Sequence, residues 1–302
     1  MTEPNGILIV NKHTGVTSHD IVNRVRKLFG TKRVGHTGTL DPLASGVLVV
    51  LVGRAAKAAE YLSSDTKGYR ATLRLGLTTD TEDVTGEILT ACDAIPDETA
   101  VRRTCESFLG DGEQIPPMYS ALKVDGQKLC DLARRGIEIE RKPRPIRIDR
   151  LDVSATDTPT DYILDVTCSA GTYIRTLCAD IGQRLGCGAV MATLERTEAG
   201  GFTIERSVTV SRLEELSEEE RIALLLPTES LFSDLPRIAL PTFYERLCRN
   251  GCEIYQRKIG TSLPVGTRVR IADESGAFFA LGEVRDYDGK SAIKAIKFFD
   301  IT

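Results

Sequence analysis

Cofactor, metal and membrane signatures are all missing from this sequence. Its eight cysteines, Cys92, Cys105, Cys130, Cys168, Cys178, Cys187, Cys248 and Cys252, are scattered, and none forms Cys-x-x-Cys. The histidines, His13, His19 and His36, lie far from most of them, so zinc-ligand spacing is not met. Cys248 and Cys252 have no second pair to complete a site. Buried thiols in a cytoplasmic protein are the expected reading. No apolar run approaches the roughly 20 residues of a membrane span. Met1 to Gly6 shows no basic region followed by an apolar one, so no signal peptide is expected. Internal repeats and low-complexity segments are absent as well.

What is present is ordinary for a soluble globular chain: 302 residues, 41% hydrophobic and 27% charged. That length allows one large domain or a large and a small one. The net charge of −4 argues at first against a nucleic-acid partner, but its distribution argues otherwise. Residues 11–35 carry six basic side chains against one acidic, and residues 121–150 carry nine against five. Residues 205–235 reverse this, with three against eight. Local basic segments bind phosphate even where the total is negative; taken alone, they also read as solvated helix faces.

Residues 35 to 46 read Gly-His-Thr-Gly-Thr-Leu-Asp-Pro-Leu-Ala-Ser-Gly. The stretch lacks the glycine spacing of a dinucleotide site and the Gly-Lys-Ser/Thr ending of a phosphate-binding loop. It sets Asp41 in a glycine-punctuated loop just before an apolar run, Val47 to Val52, which predicts a buried strand. Pro42 biases Asp41 away from helix. A carboxylate on a rigid loop at the mouth of a strand is a common catalytic placement; the same residues also read as a plain turn.

The pattern elsewhere predicts alternating strands and helices. Ile7 to Val10 reads as a strand, and Thr17 with Asp20 as a capping box opening a helix that buries Ile21, Val25, Leu28 and Phe29. Ala55 to Leu62 looks helical. Tyr69 to Leu77 alternates as a half-buried strand, and 78–87 reads as a loop. Asp97 is expected to cap a helix with Val101, Cys105, Phe108 and Leu109 inward. Residues 113–146, with two proline pairs and many basic residues around a short helical pattern, Leu129 to Arg135, look like an insertion projecting from the core. Tyr162 to Cys168 alternates again; Gly171-Thr172 opens a helix carrying Arg175 in its first turn and ending at Gly186. The acidic stretch 214–220 reads as one solvated helix, and 233–236 as a linker. Short strands around Val269, Phe278 and Ile293 fit a small β-barrel.

The twelve-residue run at 35–46 resembles the signature of the TruB family, the tRNA pseudouridine-55 synthases. Further blocks resemble the family through residue 202: Lys67-Gly68-Tyr69-Arg70, Pro-Pro-Met-Tyr-Ser-Ala-Leu-Lys at 116–123, and Gly171 to Arg175. The resemblance implies an α+β pseudouridine synthase fold with a mixed, mainly antiparallel sheet flanked by helices and loops. It divides the chain into a catalytic domain at 1–234, with a thumb-like RNA-gripping insertion at 113–146, and a PUA-like RNA-binding domain at 235–302. It makes Asp41 the catalytic carboxylate, by attack at the sugar or by assisting glycal formation. Tyr69 would stack on the target uracil and handle a proton, Arg175 would keep Asp41 ionised, and His36 would wedge into the space of the extruded base. Gly35, Thr39, Leu40, Tyr173, Leu194 and Lys12 complete the implied substrate contacts. The reaction breaks N1–C1′ and makes C5–C1′ without net oxidation, so no cofactor or metal is implied. The implied partner is the T-arm and T-loop of tRNA, met by a stand-alone cytoplasmic monomer without guide RNA or membrane.

Three departures from the family pattern concern peripheral RNA contacts. Asn11-Lys12-His13 stands for Asp-Lys-Pro, Ala170 replaces a frequent lysine, and Glu195 and Glu198 sit where basic residues are common. Rival readings are a non-catalytic RNA-binding protein or tRNA folding chaperone on the same fold, and a small-molecule lyase or glycosidase. The last usually needs a second carboxylate, and no obvious partner to Asp41 appears.

Overall fold

The computed structural model describes residues 3–61 and 66–300. Its main sheet is built from β1 (Gly6–Lys12), β2 (Val34–His36), β3 (Ser45–Val52) and β4 (Lys67–Leu75). After a small side hairpin of β5 (Leu77–Thr79) and β6 (Ile88–Ala91), it continues with β7 (Gly110–Gln114). The insertion carries a second hairpin, β8 (Lys123–Val124) with β9 (Gln127–Lys128). The chain then returns to the main sheet through β10 (Arg144–Ala155), β11 (Asp161–Cys168), β12 (Ala189–Ala199), β13 (Phe202–Thr203) and β14 (Val208–Thr209). The order is β14-β1-β3-β12-β4-β11-β10-β7, with β2 beside β3 and β13 beside β12. Only the β1–β14 and β3–β12 pairs are parallel. The sheet is therefore mixed and mainly antiparallel, as expected.

The sequence patterns explain the layers. Val47 to Val52 does not alternate because β3 is covered on both faces. Leu48, Val50 and Val52 join Leu8, Val10, Ile21 and Val25 beneath α1 (Ser18–Leu28). Val47, Val49 and Leu51 join Ile7, Ile9, Phe232, Leu281 and Phe299 on the opposite face. By contrast β4 does alternate: Tyr69, Ala71, Leu73 and Leu75 are buried, while Arg70 and Arg74 pair with Asp165 and Asp161 of β11 at 2.8 and 2.7 Å. That strand stops at Leu75, because Gly76 takes φ +91° and turns the chain; Leu77 opens the side hairpin instead. The stretch 78–87, expected as a loop, thus contributes a strand residue pair before turning.

Helix α1 begins with the expected reciprocal cap: Thr17 Oγ1 accepts from Asp20 N, and Asp20 Oδ2 accepts from Thr17 N. Residues Gly53–Tyr61 form a 3-10 helix rather than an α-helix, and Leu62 lies outside the described residues. Asp97 caps α2 (Glu98–Glu106), which buries Val101 and Cys105. The helix ends before the stripe continues, so Leu109 is exposed, while Phe108 lies under the Arg184 guanidinium at 4.3 Å. In the insertion, α3 is short, Leu129–Ala133. Helix α4 (Ile174–Leu185) packs Ile174, Leu177, Cys178 and Ile181 onto β12 and β4 and stops at Gly186, φ +78°. The acidic stretch forms two short helices, α5 (Val210–Glu215) and α6 (Glu218–Ala223), because Ser217 starts a new capping box.

The last segment adds a second sheet: β15 (Arg237–Ala239), β16 (Ile254–Tyr255), β17 (Arg268–Ala272), β18 (Phe278–Tyr287) and β19 (Lys290–Phe298), with α7 (Thr242–Arg249) against it. Its order is β15-β17-β18-β19-β16, a curled half-barrel rather than a closed one. Phe278 and Phe299 stack at 5.6 Å, and with Phe232 they seat this sheet against β1 and β3.

Candidate active site

The 35–46 loop is held at both ends and in its middle. Thr37 N donates to Val49 O, Leu40 N donates to Ser18 Oγ, and Ser18 Oγ donates back to Leu40 O. Ala44 N closes a turn on Asp41 O, and Gly15 N donates to Pro42 O. Gly46 enters β3 at φ +99°, where a Cβ would fall 2.2 Å from the carbonyl oxygen of Arg196. Only glycine permits that approach of β3 to β12.

The loop carries Asp41 into a cavity of about 210 Å³. Of the residues implied by resemblance, Thr39, Leu40, Asp41, Tyr69, Tyr173, Arg175 and Leu194 line it. Gly35, His36 and Lys12 do not. Asp41 is partly open, with its side chain 39% exposed, and Arg175 Nη2 donates to its Oδ2 at 2.9 Å. The arginine itself is only 6% exposed, so this is no surface ion pair. Arg175 Nη2 also reaches Tyr119 O at 2.8 Å, while Nη1 donates to Thr81 O at 3.1 Å and faces Asp83 Oδ2 at 4.0 Å. One guanidinium thus ties together the 35–46 loop, the side hairpin and the root of the insertion. Its fork suits this task because it has five fixed donors.

Asp83 is itself fixed: Thr81 Oγ1 and Thr85 N donate to Oδ1 at 2.9 Å each, and Thr85 Oγ1 adds a third bond. Tyr173 precedes α4 and is anchored by a reciprocal amide pair with buried Gln114: Tyr173 N donates to Oε1 at 2.8 Å, and Nε2 donates to Tyr173 O at 3.1 Å.

Tyr69 is buried, and burial pushes its phenol above the usual tyrosine pKa, so it is protonated at neutral pH. It faces Arg196 across the β4–β12 ladder. Burial and the Arg196 charge push His36 below the usual histidine value, so it is neutral; its Nδ1 has no hydrogen-bond partner among the described residues. Lys12 was expected against RNA, but it is fully buried beneath the loop. Its Nζ donates to His13 O at 3.0 Å and Val16 O at 2.9 Å, and burial lowers its pKa to about 8.

Residues 26–174 match the family model for the TruB family pseudouridylate synthase N-terminal domain, and residues 175–233 match that for the tRNA pseudouridylate synthase B C-terminal domain. A protein of Alkaliphilus oremlandii named tRNA pseudouridine synthase B is 42% identical over 94% of this chain and 94% of its own.

The chain belongs to the TruB family.

A second TruB relative, from Syntrophotalea carbinolica, is 47% identical over 78% of this chain and 76% of its own. The solved Cbf5-Nop10-Gar1 complex contains a chain with the same fold, at TM-score 0.75 and 25% identity, covering 98% of this chain and 85% of that one. Against that TruB background, the sequence reading passed over Asp83, Ser120 and Arg196. Ser120 lines the cavity, and its buried Oγ has no partner among the described residues. Arg196 had a legible signal: it follows Ala192 and Leu194 at the period of two that marks the buried face of β12.

Proposed function

We propose that this protein isomerises uridine to pseudouridine at position 55, in the T-loop of tRNA, as a stand-alone cytoplasmic monomer. The observation that carries the reading is the Arg175–Asp41 pair at the floor of an open cavity, on a chain of the TruB family. The target nucleoside lies outside its stack for this chemistry, at a cost of a few kcal/mol. The cavity residues divide the remaining work. Asp41 engages the sugar as nucleophile or as base for glycal formation. A carboxylate losing water to a bound base tends to take up a proton, because desolvation penalises its charge; Arg175 opposes this. Tyr69 and Leu194 bracket the base, and the protonated phenol is available for proton transfer. His36, neutral and with a spare ring nitrogen, occupies the space left in the RNA stack.

Residues 1–234 then form the catalytic unit, 113–146 the gripping insertion, and 235–302 a PUA-like surface for the rest of the tRNA. Recognition rests on folded loop shape and phosphate contacts rather than groove readout. No helix among the described residues is long and apolar enough to cross a membrane.

The test is incubation with unmodified tRNA transcript followed by carbodiimide mapping. A single modified site at position 55 is expected. Asp41→Asn should bind tRNA and yield no product; normal yield from that variant would refute the assignment.

A further inference from the structure

Arg196 is a buried cation with no carboxylate in direct contact among the described residues. Its side chain is 2% exposed, and no carboxylate among the described residues lies within 4.0 Å of its guanidinium. Three backbone carbonyls receive it instead: Val47 O from Nε at 2.7 Å, Gly38 O from Nη2 at 3.1 Å and Thr39 O from Nη1 at 3.4 Å. An arginine keeps its proton at any ordinary pH, and a buried charge without a counter-ion is expensive. The nearest charges are mixed, with the Asp41 carboxylate and the Lys12 ammonium both within electrostatic reach of this corner. His36 and Tyr69 both feel the Arg196 charge, and burial keeps both neutral. The route from Arg196 to the cavity runs through Tyr69, its cross-strand neighbour, which lines the cavity while Arg196 does not.

We propose that Arg196 is a positioning residue that lends positive charge, through the Tyr69 phenol, to the uracil ring while it is detached from its ribose. The proposal rests on the function argued above. In that reaction the C1′–N1 bond breaks, and its electron pair leaves with the base. Negative charge spreads over N1 and the ring oxygens. C5 then bonds to C1′, the C5 proton departs, and N1 regains a proton, so composition is unchanged. A phenol flanked by a guanidinium has its oxygen polarised and its O–H turned to the cavity, where it donates best to an anionic base. Preorganised donors of this kind act without reorganising. The buried guanidinium has its use at the moment the base is an anion.

The experiment compares single-turnover C1′–N1 cleavage in tRNA carrying uridine or 5-fluorouridine at the target. Fluorine withdraws electrons and stabilises the departing base, so that substrate needs less help. Arg196→Met should slow the uridine substrate by about 10²-fold, and the 5-fluorouridine substrate by about tenfold less than that. Arg196→Lys restores the charge and should keep the ratio between substrates seen in the unsubstituted protein, even if the looser loop lowers both rates. Equal losses on both substrates for Arg196→Met would mean a loop clamp only and would overturn the proposal, as would undiminished rates. Should Arg196→Met fail to melt cooperatively, the lysine variant decides: a preserved ratio supports the proposal and an altered one overturns it. If the unsubstituted protein forms no pseudouridine at all, the functional reading fails first.

Discussion

Lys12 and Tyr69 are pushed by burial in the directions that keep one charged only up to mild alkali and the other neutral. For Lys12 the folded pKa of about 8 lies below the ordinary lysine value of 10.5. The folded state therefore carries a penalty while the ammonium is protonated, and that penalty is relieved as pH rises from about 8 toward 10.5. Rising pH in this window should not destabilise the fold on account of Lys12, yet it removes a positive charge that Asp41 feels. The single-turnover rate should accordingly fall with a midpoint near pH 8 while Lys12 makes no contribution that lowers the melting temperature. Lys12→Met should be slower at pH 7 and lack that limb; a flat profile up to pH 9 in the unsubstituted protein would count against the role. Tyr69, shifted upward, titrates above this range. Tyr69→Phe keeps the ring and loses the hydroxyl, so tRNA affinity should persist while the single-turnover rate drops by about 10²-fold. An unchanged rate would remove the phenol from the chemistry.

Two glycines measure how the elements build the site. Gly46 and Gly171 both have positive φ, but a Cβ at Gly46 would strike the Arg196 backbone at 2.2 Å, while Gly171 has nothing within 4 Å. Gly46→Ala should cost on the order of 3 kcal/mol by denaturant unfolding, from strain plus overpacking, and should slow turnover by moving β3 off β12. Gly171→Ala should cost about 1 kcal/mol from backbone strain alone. Equal costs would mean that the β3–β12 approach is not what fixes the loop. At this same scale the sequence was most readable. Local rules placed α1, α4 and the inward face of β4 because capping residues and periodicity act within a few positions. The signature loop was legible too, since its residues are contiguous. What escaped depends on contacts between distant segments. Arg196 reaches Gly38 across 158 positions, and Arg175 reaches Tyr119 across 56. Lys12 is a substrate contact by resemblance, and only the folding of distant segments over it makes it buried.

For the whole molecule the charges are segregated rather than balanced, and this sets how the protein should meet RNA. The net charge is −4, with acid concentrated around α5 and α6. The insertion presents Lys123, Lys128, Arg135 and Lys142 to solvent, and none of them has an ion-pair partner among the described residues. Its root is bonded to Arg175, so the basic surface is tied by one hydrogen bond to the residue that pairs with Asp41. Phosphate contacts from these side chains release counter-ions, so log affinity for tRNA should fall linearly with log salt. Replacing Lys123 and Lys128 together by glutamine should make that slope shallower by about one to two units, roughly one per lost contact. Filter binding across a salt series reads this directly. A slope that stays the same in the double variant would move the phosphate contacts off the insertion, and a flat line for the unsubstituted protein would mean that its basic segments are only solvated faces.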